Sequence, residues 1–323
     1  MQSFWKKLKK PFFCLAPMAD VTDAPFRSIL VKYGKPDVIW TEFVSADGLA
    51  SQGREILKNN LIYKKSEHPI VAQLFSAHKD KMREASKYVA SLGFDGIDIN
   101  MGCPDRSVEK QGAGAAMMKD KKKAADIIQA VKDGIKDSKK KNVSISVKTR
   151  IGYNKNQINE WIPFLLSQNI DALTIHARTR KELSLVPARW EHVREVVEIR
   201  NKMGVKTKII GNGDVKDMKE GKVLAKETGC DGVMIGRGVF GNPWIFSKTK
   251  KIPTPKDKLK VLIEHTKLFE KLLGRHKNFA VMKKHYKAYV NDFSGAKELR
   301  VKLMETKNAK EVESIVKEFL KSH

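Results

Sequence analysis

The sequence is short of cysteine, of acid and of long apolar runs, and each shortage excludes something. Three cysteines among 323 residues (Cys14, Cys103 and Cys230) cannot form a paired framework and show no CxxC spacing. Neither a disulfide scaffold nor a cysteine metal site is expected, and no metal is assigned. A reducing cytoplasm is the default compartment for such a chain. No stretch approaches the roughly 18 apolar residues of a membrane span. The basic start, Phe4-Trp5-Lys6-Lys7-Leu8-Lys9-Lys10, leads only into the short run Phe12–Met18, which contains Pro17. That run reads as a first strand, not as part of a signal peptide. Internal repeats and low-complexity segments are also lacking.

Acidic residues number 37 against 63 basic ones, a formal net charge of +26. This imbalance points to a polyanionic partner, either nucleic acid or an anionic membrane surface. A lysine-rich composition is the bland source of such a count, with 50 Lys and 13 Arg, but it would ordinarily be matched by Glu. The apolar fraction of 41% is enough for a packed core, which excludes a disordered chain despite 31% charged residues.

What is present is an alternation. Short apolar runs at Phe12–Met18, Asp37–Phe43, Pro69–Phe75, Gly96–Met101, Val143–Thr149, Ala172–His176, Lys206–Gly211 and Gly232–Gly236 read as eight strands. Several are continuously apolar, as strands covered on both faces should be. Between them, Asp80–Leu92, Lys121–Lys136 and Trp190–Met203 carry apolar residues at helical spacing. Repeated β–α units of this number and length predict an α/β fold, a (β/α)8 TIM barrel. The pattern changes after Trp244. Ile252-Pro253-Thr254-Pro255 reads as a linker, and only helical periodicity follows. Leu259, Leu262, Ile263, Thr266 and Phe269 form one stripe, and Val312, Ile315, Val316 and Phe319 another. The expected division is a barrel over 1–250 and a small all-helical domain over 251–323. From Lys256 onward the charge is denser, with 17 basic and nine acidic residues, so the tail is the expected docking surface for a polyanion.

The carboxyl ends of the eight runs collect polar or unusual residues: Ala16-Pro17-Met18, Glu42, Gln73, Asn100 to Pro104, Lys148 to Arg150, His176 to Arg178, Gly211 to Asp214, and Gly236-Arg237-Gly238. In a barrel these ends meet on one face, where active sites form. The glycines after runs seven and eight let backbone N–H groups approach an anion, and Arg237 adds charge-assisted bonds, so this corner reads as a phosphate cradle; ordinary glycine turns are the alternative. Lys148 reads either as a cation beside an electron-rich cofactor ring or as half of a salt bridge to Asp98 or Glu42. His176 is a cofactor or substrate contact or a satisfied core histidine. Cys103, between Gly102 and Pro104, is a candidate acid or nucleophile if it lies in a barrel mouth. Otherwise it is an inert small residue. Cys14 and Cys230 belong to the core.

Taken in order, these motifs resemble the tRNA-dihydrouridine synthases: Ala16 to Arg27, Gln73-Leu74-Phe75, Asn100-Met101-Gly102-Cys103-Pro104, Lys148-Thr149-Arg150, His176-Ala177-Arg178-Thr179-Arg180, Asn212-Gly213-Asp214 and Gly236-Arg237-Gly238. The pentapeptide with Cys103 is the most specific, and the resemblance covers the whole barrel. It implies FMN in a TIM barrel, reduced by NADPH (or NADH), and tRNA as the partner, with no membrane and no stable protein partner. The resemblance implies hydride transfer to uracil C6 and protonation of C5 by Cys103. It assigns Gln73, Lys148, His176, Asn212, Gly213, Asp214, Gly236 and Arg237 to FMN, with Ala16, Pro17 and Met18 against the ring. Asn100 and Arg178 would hold the uracil, with Arg180 a further substrate contact. Lys283, Lys284, His285 and Arg300 are similar, more loosely, to the family's RNA-binding tail. Asp20, Ser76, Ala177 and the segment 182–190 depart from the commoner pattern, which bears on the subfamily and the target uridine. Another FMN barrel enzyme, of the dihydroorotate dehydrogenase or old-yellow type, and a non-catalytic RNA-binding protein are the other readings; neither flavin reductase needs a basic helical tail.

Overall fold

A computed structural model describes residues 3–249 and 252–322. Eight parallel strands form one sheet in the order β1-β8-β7-β6-β5-β4-β3-β2. They are β1 (Phe12–Leu15), β2 (Ile39–Ser45), β3 (Ile70–Phe75), β4 (Gly96–Met101), β5 (Ser144–Arg150), β6 (Ala172–His176), β7 (Lys208–Asn212) and β8 (Gly232–Ile235). The ring closes where Cys14 bridges Val38 in parallel, next to bonds from Asp37 N to Phe13 O (2.8 Å) and Leu15 N to Val38 O (3.1 Å). The fold is the TIM barrel that the alternation predicts, and all eight expected strands are present.

The helices follow the strands: α1 (Ala24–Gly34) after β1, the one-turn α2 (Ala46–Leu49) and α3 (Arg54–Leu57) after β2, and α4 (Lys79–Ser91) after β3. Then come α5 (Arg106–Lys110) and α6 (Lys121–Asp137) after β4, α7 (Ile158–Ser167) after β5, α8 (Glu191–Lys202) after β6 and α9 (Met218–Thr228) after β7. Strand side chains alternate between faces. Ile97, Ile99, Met101, Ile145, Val147, Leu173 and Ile175 therefore join the core against the helices. The opposite face of the strands holds Cys14, Trp40, Val71, Ala172, Ile210 and Met234 inside the ring, closed below by Trp5 from a short 3-10 turn at Phe4–Lys7. Further along that inner face the same alternation must bring Glu42, Gln73, Asn100, Lys148, His176 and Asn212 to the mouth.

After the barrel come α10 (Pro255–Leu273), α11 (Ala280–Tyr289), α12 (Ala296–Met304) and α13 (Ala309–Ser322). They share a core in which Leu259, Leu262, Phe269, Met282, Tyr286, Leu299, Val312 and Val316 are buried, together with Ile29 of α1. Both predicted stripes face this core. The prolines of the expected linker divide differently. Pro255 is the first residue of α10, and Thr254 caps it in a capping box with Asp257, because proline at the first helical position gives up only an N–H that has no helical partner. The 250/251 boundary itself lies outside the described residues.

The helical tail sits on α1. Phe26 stacks on His285 (5.4 Å between centroids) and contacts His265 (5.5 Å), and the two histidine rings meet edge to face at 4.7 Å. Lys32 and Tyr33 both bond Glu264 at 2.7 Å. Nearer the mouth, Lys277 Nζ bonds both oxygens of Glu42 (2.9 and 3.0 Å) and Asp20 at 3.3 Å.

Candidate active site

The carboxyl ends of β1, β5, β6, β7 and β8 enclose a cavity of about 650 Å³. Its walls include Ala16, Pro17, Met18, Lys148, His176, Arg178, Asn212, Gly213, Asp214, Gly236 and Arg237. The structure thus brings together most of the residues that the strand-end reading collects. Ser184, Val215, Lys216 and Met234 also line it; Met234 was legible as the inward neighbour of Gly236, whereas Ser184 sits on a loop that carries no periodic signal. A second groove of about 570 Å³ lies between α4 and α6, away from the strand ends. Across it, Arg83 pairs with Asp137 at 2.7 Å.

At the β7–β8 corner the chain is bent to expose backbone. Gly213 has φ +134°, and a Cβ there would lie 2.6 Å from the Ala188 Cβ, so glycine is required. A Cβ on Gly236 would point toward Ala16 Cβ (3.6 Å) and Met18 Sδ (3.7 Å). Asn212 Nδ2 donates to Met234 O at 2.9 Å, which ties β7 to β8. Asp214 gathers Arg178, Arg237 (2.5 Å) and the Ala188 N–H (2.9 Å). Burial pushes its carboxyl up, but these partners hold it below the usual range.

Arg178 is almost fully buried. It donates through Nε to Val186 O at 2.6 Å and through Nη1 to His176 Nε2 at 3.1 Å. A guanidinium has only donors, so His176 accepts at Nε2 and carries its proton on Nδ1. Burial, then the charges of Lys148, Arg150, Arg178 and Arg237, hold His176 well below its ordinary pKa, so it is neutral. Lys148 is pushed down to about 8, first by burial and then by Arg150, with Asp98 opposing.

No salt bridge joins Lys148 to a carboxylate among the described residues. Of its two expected partners, Glu42 is taken by Lys277 instead. Asp98 lies within electrostatic reach, but its oxygens accept from Gln73 Nε2 (2.6 Å) and Ser146 Oγ (2.5 Å). Burial raises Asp98 to about 6 against those bonds. Gln73 is buried beside the cavity and does not line it; its Oε1 accepts from Asn100 Nδ2 at 3.0 Å.

Cys103 lies on the loop after β4. Its N–H and that of Gly102 donate to Asn100 Oδ1 (2.9 and 3.1 Å), and its carbonyl accepts from Ala115 N (2.9 Å). The half-buried side chain packs against Phe75, Val108 and Ala113. Burial raises the thiol pKa, outweighing Lys148 and Arg150, so the group stays protonated at neutral pH. Two arginines tie this loop to the one after β6. Arg150 donates to Gly102 O (2.9 Å) and to Thr179 O and Leu183 O (both 3.0 Å). Arg180 grips Glu109 of α5 through Nε at 2.9 and 3.0 Å and through Nη2. Arg150 carries a clamp that the sequence reading saw only as a strand end.

The tail residues do not form one patch. Lys284 is exposed, 3.9 Å from Asp20. Lys283 donates to Met304 O (2.6 Å) and Arg300 to Val290 O (2.7 Å). His285 is the clear correction: it is 1% exposed, sandwiched between Phe26 and Phe240, and faces the barrel rather than a substrate. Burial lowers it to about 3, so it carries no charge for a phosphate.

The family model for dihydrouridine synthase matches residues 14–323. A protein of Staphylococcus aureus (strain Mu50) named "Probable tRNA-dihydrouridine synthase" is 39% identical over 321 residues, 98% of this chain and 96% of that one. "Probable tRNA-dihydrouridine synthase 2" of Bacillus subtilis (strain 168) is 38% identical over 98% and 97%. Among solved structures, a histamine dehydrogenase from Rhizobium sp. 4-9 superposes with a TM-score of 0.54 at 12% identity, over 80% of this chain and 49% of its own. A 2-naphthoyl-CoA reductase does so at 0.54 and 11%, over 76% and 52%. This chain spans about half of each, and what they share is the barrel fold. With a match over nearly its whole length and relatives at this identity, the chain belongs to the dihydrouridine synthase family.

Proposed function

We propose that this protein is a tRNA-dihydrouridine synthase of the cytoplasm, which reduces the C5–C6 double bond of specific uridines in tRNA with FMN, recharged by NADPH or NADH. The observation that carries the proposal is the meeting, at one barrel mouth, of an anion cradle, a half-buried cation and a thiol kept protonated. The residues present fit a flavin mononucleotide. The cavity is within the usual range of ligand sites, about 300–1,000 Å³. The bare backbone at Gly213 and Gly236, with Arg237, suits its phosphate. Lys148 suits a ring that gains negative charge on reduction, and Ala16, Pro17 and Met18 give that ring an apolar rest.

When bound there, FMN supplies the hydride that reaches uracil C6. The chain's own part is positional and acid–base. Cys103 Sγ–H delivers a proton to C5, and the thiolate left behind recovers its proton from solvent. Burial that raises this thiol keeps the proton in place until it is used. Arg178 and Asp214 stiffen the wall beside His176, and Arg150 and Arg180 keep the β4 and β6 loops together over the mouth. The target base must leave its stack, which costs a few kcal/mol and suits a loop uridine. We assign tRNA docking to the exposed lysines of the tail and barrel rim, Lys284 first among them. The barrel over 1–250 does the chemistry, and the helical region over 251–323 holds the substrate.

Purified protein should be yellow, and its reduced flavin should be reoxidised by unmodified tRNA and not by small enones. Colourless protein that takes up no FMN would overturn the proposal.

A further inference from the structure

A single hydrogen-bond chain runs from inside the barrel to the cysteine loop. Asp98 Oδ1 accepts from Ser146 Oγ at 2.5 Å, and Oδ2 accepts from Gln73 Nε2 at 2.6 Å. Gln73 Oε1 then accepts from Asn100 Nδ2 at 3.0 Å, and Asn100 Oδ1 accepts from the N–H groups of Gly102 (3.1 Å) and Cys103 (2.9 Å). Asp98, Gln73 and Asn100 are all buried. Sheet register makes the chain possible, because Gln73 lies beside Asp98 across β3–β4 and Asp98 beside Ser146 across β4–β5.

The chain has a direction. An ionised carboxylate can only accept, and a backbone N–H can only donate. Between these two ends stand two carboxamides, each of which would flip freely if left alone. With an acceptor at one end and donors at the other, each has one arrangement that satisfies both neighbours. Turning either amide over would set oxygen against oxygen or N–H against N–H in a buried site, where an unmet polar group costs most.

We propose that Asp98 is a positioning residue for the acid: its carboxylate orients Gln73, which orients Asn100, which fixes the two backbone amides that place Cys103. A consequence for the ligand follows. Asn100 Oδ1 has both lone pairs occupied, so this side chain can offer a ligand an N–H but no acceptor. A group that bonds it must then present an acceptor, such as a carbonyl oxygen, and not a ring N–H. The proposal rests on the role given to Cys103 above.

The test compares Asp98→Leu with Asp98→Asn in the full-length, flavin-loaded protein. Leucine keeps the size and removes the acceptor. Asparagine can still accept from Gln73 with its oxygen and donate to Ser146, whose hydroxyl rotates, so the direction survives. In Asp98→Leu, hydrogen exchange at the amides of Gly102 and Cys103 should speed about tenfold. Its kcat should fall by as much as about 10²-fold; both variants remove the charge that supports Lys148, so the difference between them reads placement alone. Asp98→Asn should restore the exchange pattern and most of kcat. Should the leucine variant not fold, Asp98→Val, at home in a strand, takes its place, and the asparagine variant must still behave as stated. Wild-type exchange and rate in the apolar variant would overturn the proposal, and so would an asparagine variant as damaged as the apolar one. If the wild-type protein reduces no tRNA, the functional reading fails, while the exchange comparison still decides the chain.

Discussion

At the barrel mouth, Arg150 and Arg178 are buried as charges, and each reaches two or more backbone carbonyls, a carboxylate or a histidine, with the half-buried Lys148 beside them. In the helical tail, His265 and His285 are buried without charge among Phe26, Phe240 and Tyr289, and most charged side chains stand outside, Lys277 at the seam excepted. The first region keeps polarity by pairing it, the second by neutralising it. Under the function proposed above, the difference follows from task. A site that must stabilise charge on a ligand needs cations already desolvated, so their interaction with that ligand is strong. A docking module needs only a stable core and a wet, charged surface.

The comparison breaks most visibly at Cys103. If the mouth holds a proton donor and the rest of the protein only binds, Cys103→Ala should keep FMN and tRNA binding and lose product formation by roughly 10²–10⁴-fold, the usual weight of a general acid. Single-turnover oxidation of the reduced flavin by tRNA measures it. Unchanged turnover would remove Cys103 from the reaction and reduce the mouth to a binding pocket.

The next effect tests the bond between the regions. Lys277, 14% exposed at its side chain, neutralises Glu42, 2% exposed, across the seam. Lys277→Met leaves a buried carboxylate without its cation, with only the Asp20 N–H still donating to it at 2.6 Å, which should cost about 3 kcal/mol. The double variant with Glu42→Gln should recover most of that loss, as thermal unfolding would show. A single variant as stable as the parent would mean that water already solvates Glu42 and that the seam is held by Phe26, the histidines and the Glu264 bonds to Lys32 and Tyr33.

Protonation acts on both regions, with one sign for the histidines and the other for Asp98. His265 and His285 are pushed down by burial, His285 to about 3. Their folded pKa values lie below the ordinary value of about 6.5, so the unfolded chain binds more protons as the pH falls. Stability is full above about pH 6.5 and is lost as the pH drops toward 3, by about 1 kcal/mol per histidine between pH 6.5 and 5.5. His176 adds to this slope with the same sign. Asp98 opposes it: its folded value, about 6, is raised above the unfolded one, so protonation there favours the folded state as pH falls. His285→Phe should lower the proton uptake of unfolding near pH 5.5 by about one, read from the pH dependence of urea midpoints. An unchanged slope would mean that His285 is already charged when folded.

Much of the mouth was legible because alternation is a local rule. Once β5 is a strand, Lys148 must share a face with Ser146, and once β6 is a strand, His176 must point with Thr174. The seam was not legible. Lys277 and Glu42 are 235 residues apart, and nothing in the Lys283-Lys284-His285 triplet says which residue turns inward. That depends on the phase of α11 against α1, and Phe26 sets it: its ring takes His285 and leaves Lys284 outside. Asn100 and Gln73 were legible as residues of the strand ends but their bond to each other was not, because it depends on the pairing of β3 with β4 and on Asp98 and the backbone after β4.

The smallest effect sharpens the comparison within that triplet. If the tail acts through exposed charge, Lys284→Gln should weaken tRNA binding evenly across tRNAs and reduce the slope of log Kd against log salt by about 0.7–0.9, the release of one counterion. Lys283→Gln should reduce the slope less, since its ammonium is bonded to Met304 O. His285→Phe should leave the slope unchanged at neutral pH, because a buried neutral ring meets no phosphate. Filter binding between 50 and 200 mM salt orders the three. A His285 variant with the flattest slope would mean that the seam opens when tRNA binds, and the tail would then be part of a moving clamp rather than a fixed platform.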